Sequence, residues 1–166
     1  MKFLQDTLNQ QGQLKWVQTP KAAPANAVSV VDEVTDAVAD PGSCTLAFKQ
    51  DHRFPDYRVA TTWKMPVREV AKVAVESLED AADRARARAG QPAWDSTTTP
   101  RVFSLQFEAA PGKKFQSHRK SVNASQEVIE RDQEQPLGSL YFRDEVTAQQ
   151  FSKALMRARD LCAADR

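Results

Sequence analysis

Apolar and polar residues alternate in short runs along most of the chain, and only near the C-terminus does the spacing widen to three and four. In "RVFSLQFEA", Phe103, Leu105 and Phe107 take one side and Ser104, Gln106 and Glu108 the other. That period of two is the signature of a half-buried strand. "QLKWVQ" sets Leu14 and Trp16 on one side, "SCTLAF" sets Cys44, Leu46 and Phe48, and "YRVATTW" sets Tyr57, Val59, Thr61 and Trp63. "VSVVDEVTDAV" fits two templates, a helix through Val31, Val34 and Val38 or a strand face through Val28, Val30, Val34 and Val38. Its β-branched residues favour the strand, and Pro41-Gly42 then closes a hairpin onto "SCTLAF". "KVAVES", with Val73 and Val75, and "SLYF" read as further strands. After the turn "APGKK", "FQSHRKSVN" reads as the returning strand of a hairpin, with Phe115, Ser117 and Arg119 aligned. "TPKAAPANA", "QDHRFPD" and "QPAWDSTTTP" read as loops, and residues 123–137 as a polar, poorly patterned stretch.

Helical spacing occurs three times. Residues 2–11 place Phe3, Leu4 and Leu8 together, with Gly12 as the stop. From residue 79, the acids Glu79, Asp80 and Asp83 precede the arginines Arg84, Arg86 and Arg88, an order that complements the helix dipole, and Gly90 ends the run. In 144–163, Phe151, Leu155, Ala158 and Cys162 recur at steps of four, three and four, behind Asp144 or Thr147 as N-cap. The expected architecture is one α+β domain over residues 1–166. A bent antiparallel β-sandwich or barrel of about seven strands would be capped by the C-terminal helix, with a short N-terminal helix and an inserted helix and loop at 79–100.

Composition narrows the class without naming an activity. With 166 residues, 41% hydrophobic and 27% charged, the chain is long enough to bury its own core. Basic and acidic residues number 23 and 22, which argues against a nucleic-acid partner. No run has the roughly 20 apolar residues of a membrane span, and "MKFLQDTLNQQG" has no signal-peptide core. The compartment expected is cytoplasmic if the chain is complete, and exported if a signal peptide has been removed.

The strand "SLYF" running into "RDEVTAQQFSKALMRARDLC" resembles the C-terminal element of pleckstrin-homology-like domains, including uncharacterised bacterial proteins of which several are exported. Opposed segments "QLKWVQ" and "VSVVDEV", "SCTLAF" and "YRVATTW", and "KVAVES" and "RVFSLQF" follow the same order. The resemblance implies a seven-stranded bent sandwich closed at one corner by the helix. Many such helices carry a central tryptophan; none lies in 144–162 here, and Phe151 stands in the matching place. The family recognises lipids, peptides and phosphotyrosine, so the fold alone names no function.

Four clusters hold candidate chemistry. In "GKKFQSHRK", Lys113, Lys114, His118, Arg119 and Lys120 can hold an anionic head group or phosphate, while Glu127, Glu130, Asp132 and Glu134 lie in sequence to neutralise them. The family's basic loop joins its first two strands, whereas this cluster joins later ones. His52 stands between Asp51 and Asp56, a grouping suited to acid–base work, but it has no partner at a recognisable spacing and no phosphate loop or nucleophile elbow accompanies it. Cys44, Cys162, His52 and His118 lack the short pairings of zinc sites, so neither metal nor cofactor is expected. Cys44 and Cys162 form either a disulfide or two buried thiols, the former if the helix crosses the strand. The expected function is a non-catalytic binding module for a protein or peptide, through an exposed strand edge or a groove beneath the cap helix. Anionic ligand binding at 112–120 is the alternative, and an enzyme using His52 the third reading.

Overall fold

The computed structural model describes residues 1–164. Helix α1 (Lys2–Gln10) precedes β1 (Gln13–Pro20), β2 (Val28–Asp40), β3 (Thr45–Phe54), β4 (Tyr57–Pro66) and β5 (Val70–Ser77). Helix α2 (Leu78–Arg88) leads to β6 (Ser96–Thr99), β7 (Phe103–Ala109), β8 (Phe115–Asn123), β9 (Val128–Gln135), β10 (Leu137–Phe142) and helix α3 (Glu145–Ala164). The strands form two antiparallel sheets, a long one ordered β6-β1-β2-β3-β4-β8-β9 and a short one ordered β10-β7-β5. The architecture is α+β and sandwich-like, with ten strands where about seven were expected, and it does not close into a barrel.

Between the sheets lies one main core. Leu46, Phe48, Trp63, Met65 and Phe115 from the long sheet meet Leu105, Phe107, Leu140 and Phe142 from the short one. Helix α3 closes this core with Ala148, Phe151, Leu155 and Ala158, and α1 adds Leu4 and Leu8. Phe151 and Leu155 are wholly buried, each contributing about 2 kcal/mol of apolar burial. The helix therefore seals this side of the core. Its N-cap is Asp144, whose carboxylate accepts from the Thr147 N–H at 2.8 Å and from the Thr147 hydroxyl at 2.9 Å.

Several expectations are corrected. "APGKK" does not close a hairpin: β7 belongs to the short sheet and β8 pairs with β4 and β9, so the turn carries the chain from one sheet to the other. "QDHRFPD" is not a loop, because β3 pairs with β4 through Phe54 opposite Tyr57 and the turn is only Pro55-Asp56. Residues 128–135 form the edge strand β9, and the 79–100 insertion contributes β6. In β2 the register shifts between Thr35 and Val38, with Asp36 at a φ of 54°. That bulge turns Ala37 inward and leaves Val38 58% exposed. The Asn9 side chain receives the Ala37 N–H and donates to its carbonyl, both at 2.9 Å, so α1 satisfies the bulged backbone.

Cys44 lies in the turn before β3, with a φ of 53°, rather than on the strand face with Leu46 and Phe48. A disulfide joins it to Cys162 near the end of α3, with Cα atoms 5.8 Å apart. Among the described residues, no helix is long and apolar enough to cross a membrane.

Candidate functional site

Seven strands face three, so the short sheet covers only part of the long sheet's inner surface. The inner face changes character accordingly. Beside the core it carries Phe48, Trp63 and Ser117 in one cross-strand row. One row out it carries Val34, Gln50, Thr61, Arg119 and Arg131. The next holds Leu14, Asp32, His52, Val59 and Ser121. Polar side chains on an inner face are expensive unless they are bonded or face solvent. Here many of them line a cleft of about 380 Å³ that opens between β3, β4, β8 and β9 on one wall and β10 on the other.

Behind the cleft lining, next to Gln50 and His52, Asp32 is fully buried. Its Oδ1 accepts from Gln50 Nε2 at 3.0 Å and lies 3.0 Å from His52 Nδ1, while Oδ2 finds no partner. Burial pushes the Asp32 carboxyl above its ordinary range, against the opposing pull of His52 and Gln50. The His52 ring sits among Trp16, Phe54 and Tyr141, with ring centroids 4.9–5.7 Å away. Burial, and then the negative charge of Asp32, push the Tyr141 phenol up to about 12, so it stays protonated.

Near the mouth, Arg119 Nη2 donates to the Tyr57 hydroxyl at 3.0 Å. Burial alone would raise the Tyr57 phenol, but bonds to Arg119 and Ser121 and the charge of Arg119 bring it below its ordinary value. Arg119 Nε is buried and unpartnered, as is Trp63 Nε1 on the same lining. Arg131 lies directly opposite Arg119 across the strand pair. With the Gln133 carboxamide oxygen turned toward it, Arg131 donates from Nε and Nη2 at 2.7 and 3.0 Å.

The other wall is the edge of β10. Pro136 accepts from the Ala109 N–H, so even-numbered residues turn their main-chain groups toward β7. The odd-numbered ones, Leu137, Ser139 and Tyr141, turn theirs away. Gln11 Nε2 occupies the Tyr141 carbonyl at 2.7 Å, which leaves Leu137 and Ser139 as the open part of the edge. Both line the cleft. Gly138 lets the strand lie against the core, since a Cβ there would overlap the Phe107 ring and reach Trp63 Cη2 at 3.0 Å.

The residues singled out in 112–120 do not come together. Lys113 and Lys114 stand in the inter-sheet turn, and Lys114 pairs with Glu134 at 3.8 Å. His118 and Lys120 lie on the outer face of β8, where His118 is held by Asp132 and Glu130 at 2.8 and 2.9 Å and Lys120 lies 4.0 Å from Glu130. Asp132, and then Glu130, raise the exposed His118 imidazole above its ordinary value. Arg119 alone turns inward to the cleft. Among the described residues, no group of three or more His, Cys, Asp or Glu is arranged to hold a metal. The buried partner of His52 was missed in the sequence because Asp32 lies 20 positions away; only the β2–β3 register, Asp32 opposite His52, joins them. Comparison with family models, curated proteins and solved structures finds no match to this chain.

Proposed function

We propose that this chain is a non-catalytic peptide-binding module that adds a strand of its partner to the open edge of β10, inside the cleft. The observation that carries this reading is the free main chain of Leu137 and Ser139 on the cleft lining. An unpaired edge is a template for another strand, and neighbouring pockets select its side chains. Phe54, Val59, Trp63 and Tyr141 supply apolar contact, while Gln50 and Thr61 supply hydrogen bonds. The other long edge, β9, is guarded by Glu130, Arg131, Asp132 and Glu134. Peptide recognition is also one use implied by the resemblance to pleckstrin-homology-like domains. The disulfide supports an oxidising compartment, and so an envelope or extracellular partner.

The competing readings have less support. The basic residues of 112–120 are dispersed, and Lys114, His118 and Lys120 are paired with acids, which leaves little charge for an anionic surface. For acid–base catalysis, the hydrogen-bond partner of His52 among the described residues is Asp32, and burial disfavours the charged form of that carboxyl.

The test uses the amidated tetrapeptide acetyl-Thr-Val-Thr-Phe-NH2, titrated into the intact, oxidised protein while amide resonances are followed by NMR. Shifts should map to residues 137–141 and the facing parts of β3, β4 and β8. Ser139→Pro, which removes an N–H on the open edge and leaves the ladder to β7 intact, should abolish binding with the fold preserved. Shifts confined to β6 or β9, or unchanged binding by Ser139→Pro, would refute strand addition at β10.

A further inference from the structure

We infer that the cleft captures the C-terminal carboxylate of its peptide, with Arg119, Arg131 and Tyr57 as the clamp. This rests on the strand-addition reading and names the end of the partner that enters. Charge pairing along the strands makes the case. On the outer face, Arg53 meets Glu33 at 2.8 Å, Arg58 grips Asp51 through two contacts of 2.8 Å, and His118 and Lys120 meet the acids of β9. On the inner face, Arg119 and Arg131 stand opposite each other, and among the described residues neither has a carboxylate partner. Two like charges in direct cross-strand register repel, and a buried guanidinium N–H with no acceptor is a further penalty. An oxyanion held beside them relieves the repulsion.

The donor geometry agrees with that occupant. The Tyr57 hydroxyl accepts from Arg119 and lies beside Ser121, and its O–H can turn to an incoming oxyanion. Arg119 Nη2 spends one of its two N–H groups on Tyr57, and its other N–H, beside that of the second terminal nitrogen, forms a parallel pair that matches a carboxylate. Because Arg119 and Ser139 line the same cleft, a peptide laid along β10 can bring its last residue to Arg119, with Arg131 opposite it on β9. The final side chain then lies against Phe54 and Tyr141.

The probes are acetyl-Thr-Val-Thr-Phe as the free acid, the same peptide amidated, and inorganic phosphate, each titrated by NMR against the oxidised chain. The acid should bind at least tenfold more tightly than the amide. Arg119→Gln and, separately, the exposed-site variant Arg131→Gln should shrink that ratio toward one. Arg119→Lys should retain part of it. Equal binding of acid and amide at β10 overturns carboxylate capture while strand addition stands. A failure of both peptides to perturb the cleft overturns both readings. Phosphate binding at Arg119 with no preference for the acid overturns the peptide terminus in favour of a free-anion site.

Discussion

Removing the disulfide by Cys44→Ser with Cys162→Ser should lower stability by roughly 5 kcal/mol, and nearly all of that loss should arise in the unfolded chain. The bridge spans 118 positions of sequence. Closing a loop of that size removes on the order of 16 cal/mol/K from the denatured ensemble, which is ~5 kcal/mol at room temperature. The folded state loses little, because α3 is already fixed by Ala148, Phe151, Leu155 and Ala158, all upstream of Cys162. Urea unfolding of the oxidised protein and the double variant, followed by circular dichroism, measures the difference. With a slope of about 2 kcal/mol/M, the midpoint should fall by about 2–3 M. The slope itself should rise in the variant, since its unfolded chain is no longer held compact. A loss below about 1 kcal/mol would refute the reasoning, because it would mean that the bridge pins only a frayed helix end.

Two further outcomes are expected. Because burial raises the Asp32 carboxyl, the folded protein holds a proton that the unfolded chain releases near 3.8, so stability should decline as pH rises from about 3.8 through the raised value. Asp32→Asn should flatten that decline in pH-dependent urea titrations; an unchanged profile would show that Asp32 is not its source. Gly138→Ala forces the Phe107 ring from its place and should cost about 1–3 kcal/mol, read as a lower melting temperature, and an undiminished one would count against the tight packing of β10 on the core.

The parts legible in the sequence were those with a local signal. Phe151, Leu155 and Ala158 declare their helix and its buried face by spacing alone, and Phe103, Leu105 and Phe107 declare β7. The partition into two sheets carries no such mark, since Pro111-Gly112 would serve a hairpin as readily as a crossover. β9 was invisible because an edge strand outside the sandwich has no buried face, so Val128–Gln135 shows no apolar alternation. The cleft was illegible for a different reason. It exists because three strands cannot cover seven, and Arg119, His52 and Ser139 become neighbours of one space only after the sheets are stacked.

The bridge between Cys44 and Cys162 also makes a covalent ring that contains β3 to β10, and with them every strand of the cleft. Tension applied outside the ring can therefore draw out only the chain before Cys44 and after Cys162; the ring bears the load without lengthening. A single proteolytic cut between positions 45 and 161 leaves the molecule in one piece, with both halves still tethered. A degradation machine that threads one extended strand through a narrow pore would meet a doubled chain at Cys44 and stall there until the ring is reduced or cut. The strands that line the cleft thus stay within the ring, while Asp32, Gln11 and Trp16, which pack against them, lie outside it.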